Sequence, residues 1–152
     1  MNYNETVSTV REIARDGLRL QAVNRFRADL LEVEISKGMV ADSRKEIEKD
    51  TARAEYNLSK VDSANPDFEN ITKSLQEDLK YLNEQLESNG KTSENLDKKA
   101  EEINKKIDAV QSGETKISKD SLNDETARLL QLMNTQRAQN LASNVSVPEN
   151  AS

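Results

Sequence analysis

FRADLLEVEISKGMVADSRKEIEKDTARAEYNLSKV, residues 26–61, places Phe26, Val33, Val40, Ile47, Ala54 and Val61 on one seven-residue grid. Seven residues are close to two turns of an α-helix, so the six side chains return to nearly the same side and form a seam that a second helix covers. The stretch therefore reads as one long helix built to pack on other helices. The companion seam positions are Val23, Leu30, Lys37, Arg44, Thr51 and Leu58, apolar at both ends and polar for three positions between.

Gly38 tests the continuity of that helix. Lys37-Gly38 has the form of a helix stop, and Ser43-Arg44-Lys45-Glu46 has the form of a capping box that opens a new helix. The grid keeps its phase across Gly38, which a break would have no reason to preserve. A glycine inside a helix costs only about 1 kcal/mol relative to alanine. One helix is expected from about residue 4 to 62, with Val7, Val10 and Ala14 opening its stripe.

Asp62-Ser63-Ala64-Asn65-Pro66-Asp67 ends it. The residue before proline is pushed out of helical geometry and proline suits the first helical position, which makes Asn65 the expected N-cap of the next helix. Phe68, Thr72, Leu75, Leu79, Leu82 and Leu86 then alternate spacings of four and three, as do Leu96, Ala100, Ile103, Ile107 and Val110. With Ser88-Asn89-Gly90 read as a stop, these become two helices, about 66–88 and 94–112, joined as an antiparallel αα-hairpin. Gly113 closes the second. A last helix is expected over about 121–143, carrying Leu122, Ala127, Leu129, Leu130, Leu132, Met133, Leu141 and Ala142, with residues 146–152 as a mobile tail. The expected fold is all-α: an elongated helical bundle or coiled coil forming a single domain over residues 1–145.

Composition bounds the chemistry. Of 152 residues, 34% are hydrophobic and 33% charged, with no Trp and few other aromatics, so burial has to come from aliphatic stripes. The chain has neither cysteine nor histidine. That removes disulfides, thiolate nucleophiles, the commonest metal ligand and the usual general base. No catalytic residue, metal or cofactor is assigned, and a non-enzymatic protein is expected. Glu46, Glu48, Asp50, Glu101 and Glu102 stand near lysines on polar helix faces and lack the spacing of a calcium loop or a di-iron bundle. Gly90-Lys91-Thr92 resembles the end of a phosphate-binding loop, but Gln85 stands where the upstream glycine is required, so it reads as a turn.

The net charge of −6 comes from interspersed signs, unlike the one-sided excess of a nucleic-acid binder. Arg11, Arg15 and Arg19 recur every four residues and form a basic stripe, with Glu12 and Asp16 placed to pair with them. Without interleaved aromatics for base stacking, nucleic acid is a lesser expectation than a protein partner. No basic and apolar leader precedes the first helix and no apolar run approaches spanning length, so a soluble protein without a secretory signal is expected, of undetermined compartment. Five Asn-x-Ser/Thr sites, at Asn4, Asn57, Asn70, Asn144 and Asn150, carry no weight in that setting.

These readings converge on a structural or assembly protein that packs through apolar seams into a homo-oligomer or a larger complex, of the kind found in virions or bacterial appendages. An assembly or secretion chaperone or scaffold is the alternative. The expected partner interface is Val7, Val10, Phe26, Leu30, Val33, Val40, Leu129, Leu130, Leu132 and Met133, with Lys37 and Arg44 setting register.

Overall fold

The structure, a computed structural model, describes the backbone of residues 2–151 and the side chains of residues 2–143. It is an all-α helical bundle of three helices, with no strand among the described residues. Helix α1 is Tyr3–Ser59, α2 is Phe68–Gln111 and α3 is Lys119–Ala151. The tail expected over 146–152 falls outside the residues whose side chains are described.

Helix α1 starts on a reciprocal cap, in which the Glu5 amide donates to Asn2 Oδ1 at 2.9 Å and the Asn2 amide donates to Glu5 Oε2 at 3.2 Å. It then runs through Gly38 without interruption. The six grid residues are all buried or half-buried, and Arg44 is the one exposed member of the companion seam.

The turn to α2 is built from two carboxamide and carboxylate side chains. Asp62 Oδ1 accepts from the Ala64 amide and Asn65 Oδ1 accepts from the Asp67 amide, each at 2.9 Å. Asn65 therefore satisfies one of the free donors at the start of α2, as an N-cap followed by proline should.

The expected central hairpin is corrected. Residues 68 to 111 form one helix, and Gly90-Lys91-Thr92 lies inside it instead of at a turn. The reason is register. Leu86, Asn89, Ser93 and Leu96 continue the alternating spacing of three and four, and all four side chains lie on the half-buried face. A helix-ending glycine takes the left-handed conformation, and among the described glycines only Gly113 does, with φ of 82°.

Helix α3 starts one or two residues earlier than the apolar pattern indicates. Ser118 Oγ accepts from the Ser121 amide at 3.2 Å and the Ser118 carbonyl from the Leu122 amide at 3.0 Å, which makes Ser118 the N-cap.

The chain divides into two compact units. The first comprises Met1–Phe26 and Lys106–Ser152, and its core draws on all three helices: Val10, Ala14 and Val23 from α1, Ile107 and Val110 from α2, and Leu122 and Thr126 from α3. The Thr126 hydroxyl is satisfied by donating to the Leu122 carbonyl at 2.6 Å. The second unit, Arg27–Lys105, is the antiparallel pair of α1 and α2, in which Val33, Ala54, Ala100 and Ile103 are buried. Two helices meet along one line only, so Leu75, Leu79, Leu82 and Leu86 remain half-exposed.

Candidate interaction surfaces

The centre of the second unit is polar. Asn89 occupies a seam position and donates through Nδ2 to the Val40 carbonyl at 3.0 Å, while its Oδ1 is buried without a hydrogen-bond partner. A hollow of about 390 Å³ adjoins it, lined by Met39, Val40, Ser43, Ile47, Gln85 and Thr92 among others. Nearby, Lys37 Nζ lies 3.0 Å from Asp97 Oδ1 and 3.7 Å from Glu34 Oε1. The hydrogen bond to Asp97 holds the Lys37 ammonium above the ordinary lysine range.

Lys37 thus has its partner within the chain, across the α1/α2 seam. Arg44 points outward and pairs with Glu48 one turn on, Nε to Oε1 at 3.0 Å. Both sit inside the length of the helix pair. A polar side chain at a seam position costs stability and favours the alignment in which it is satisfied, here the one that sets Asn89 against the Val40 carbonyl.

The expected partner interface splits on burial. Val10 and Val33 are buried within their own units, so neither presents a surface to another molecule. Val33 shares a hollow with Leu96 and Lys99 of α2, so this part of the grid, expected to face a partner, is covered within the chain. The unbroken α2 reaches where a short hairpin could not. Val7, Phe26, Leu30, Val40, Leu129 and Leu130 are half-buried, and Leu132 and Met133 are exposed.

Pattern reading misses a second apolar face. Leu31, Ile35 and Met39 are 61%, 57% and 68% exposed. Leu31 lies on the side of α1 away from Val33 and Val40, while Ile35 borders the hollow that reaches Leu96 and Met39 the one that reaches Asn89. Their spacing of four is the available signal, masked by the seam residues interleaved with them. Ile13 and Leu20 of α1 and Leu141 of α3 are likewise exposed. In the first unit an open hollow of about 690 Å³ is lined by Tyr3, Leu130, Met133, Arg137 and Leu141, with amides from Asn134, Gln136 and Asn140.

Of the basic stripe, Arg15 pairs with Glu12 at 3.6 Å and Arg11 is half-buried, while Arg19, whose Nε is buried without a hydrogen-bond partner, lies against the end of α2. Its Nη2 sits 3.6 Å from the point where a Cβ on Gly113 would stand. The last turn of α2 has no basic residue of its own, so Arg19 brings a cation to the negative end of that helix dipole. Elsewhere, Arg128 donates to Glu125 through Nε at 3.0 and 3.1 Å. This holds the Glu125 carboxyl below and the Arg128 guanidinium above their ordinary ranges.

Among the described residues no three acidic side chains converge as a metal site, and no helix is long and apolar enough to cross a membrane. Comparison with protein-family models, with curated proteins and with solved structures finds no match to this chain.

Proposed function

We propose that this chain is a structural or assembly protein that acts by packing its helices against other protein surfaces, copies of itself first among them. The observation that supports this reading is the set of large aliphatic side chains left in water on helix faces: Ile13, Leu20, Leu31, Ile35, Met39, Leu132 and Leu141 are each more than half exposed. Single exposed leucines are ordinary on any surface. A row such as Leu31, Ile35 and Met39, one turn apart on a helix whose other side is already covered, is the form a packing face takes. Charged residues between the apolar positions supply alignment and not affinity.

Light scattering after size exclusion, over a wide range of protein concentration, tests the reading together with a census of proteins retained on the tagged chain. A mass of two copies or more, or a stoichiometric protein partner, is the expected result. A monomer at every concentration with nothing retained would overturn it.

A further inference from the structure

We infer that the face of α1 carrying Ala28, Leu31, Ile35 and Gly38 is a dimer seam on which a second copy of this chain lies parallel and in register. The inference rests on the proposed self-association and specifies its geometry. Val33 and Val40 point toward α2 and fix the frame. If they hold the outermost positions of a heptad, the two seam positions on the opposite side are Ala28 and Ile35 for one, and Leu31 and Gly38 for the other. Ala28, Leu31, Ile35 and Gly38 are all exposed. A β-branched residue at the first seam position with leucine at the second is the combination that favours parallel two-stranded packing, and Ile35 with Leu31 supplies it.

The flanking charges choose between orientations. Arg27 and Glu32 stand on either side of the seam, both exposed, and neither forms an ion pair with another described residue. In a parallel pair each flanking residue meets the residue five positions on in the other copy, so Arg27 meets Glu32 twice by symmetry. An antiparallel pair that stacks Leu31 on Ile35 brings Glu32 to Glu32 and Glu34 to Glu34. The same apolar contact is then opposed by like charges. The seam ends at Asp42, the next first-position residue, where two copies would place carboxylates together. Twelve residues of helix span only about 18 Å, so the dimer is weak and dependent on concentration.

Because the chain has no cysteine, single cysteines report the geometry directly. Under mild oxidation Leu31→Cys and Ile35→Cys should each form disulfide-linked dimers, while Tyr81→Cys, equally exposed on α2, should not. Arg27→Glu should raise the dimer dissociation constant about fivefold, and adding Glu32→Arg in the same chain should restore it. An oligomer by light scattering in which neither single cysteine cross-links would overturn this seam and leave self-association standing. Failure of Glu32→Arg to rescue Arg27→Glu would overturn the parallel register. A monomer throughout removes both.

Discussion

Three helix segments meet in one unit of this molecule and two in the other, and the difference shows in two sets of leucines: Leu122 is 5% exposed in the first, whereas Leu75, Leu79, Leu82 and Leu86 are half-buried in the second. In the first unit a third helix closes the gap between the other two, so valine, isoleucine and leucine side chains from all of them fall below a tenth exposed. In the second unit the leucines of α2 have α1 on one side and water on the other. The contrast has two sources: the second unit has one fewer helix, and its seam carries Lys37, Asn89 and Ser93 where the first unit's core is mostly aliphatic. A seam between two helices specifies pairing well and buries little.

Truncating one leucine in each region is the strongest test. Leu122, 5% exposed between helices, should cost about 3 kcal/mol as Leu122→Ala, because the lost contacts and the cavity add. Leu82, half-buried on the two-helix seam, should cost about 1 kcal/mol as Leu82→Ala, since solvent relieves the cavity. Urea denaturation followed by helical circular dichroism measures both. Equal losses would break the comparison.

Glycine substitutions should separate the regions by sign. Gly113, in the first unit, is left-handed at the end of α2, so Gly113→Ala should destabilise by about 1 kcal/mol. Gly90, in the second, lies within a helix with nothing within 4 Å of where a Cβ would stand. Gly90→Ala should therefore stabilise by about 0.5–1 kcal/mol. Thermal midpoints of the two variants moving in the same direction would show that one glycine has been assigned the wrong role.

Gly38 and Gly90 show where reading the chain succeeds and where it stops. Phase across Gly38 identifies a continuous helix, because apolar residues stand on both sides at heptad spacing. The same phase runs across Gly90, but the positions that carry it are Asn89 and Ser93, and a reading that counts only apolar residues sees a gap between Leu86 and Leu96. Their place becomes visible only when a neighbouring carbonyl, that of Val40, accepts from Asn89. The apolar face of Leu31, Ile35 and Met39 is hidden for a related reason. Two stripes on one helix interleave in sequence, and periodicity does not say which of them its own chain will cover. Val33 was legible as a seam residue, whereas its cover by α2 depends on how far that helix extends.

The smallest expected effect concerns charge, and it too should divide the regions, at opposite ends of the pH scale. Glu125, in the first unit, has a folded pKa lowered mainly by its hydrogen bond from Arg128. Its contribution is therefore complete above the ordinary carboxylate range and is lost as pH falls through the lowered folded value. Lys37, in the second unit, has a folded pKa raised mainly by its hydrogen bond to Asp97. Its contribution is complete below the ordinary lysine range and is lost as pH rises through the raised folded value. Solvent reaches both pairs, so the shifts in thermal midpoint should be small and should shrink further in high salt. The measurement is the gap in midpoint between the native chain and each of Glu125→Gln and Lys37→Gln, followed across pH. The first gap should close only in acid and the second only in alkali. If the Glu125→Gln gap persists undiminished in acid, the Arg128 pairing does not stabilise the start of α3.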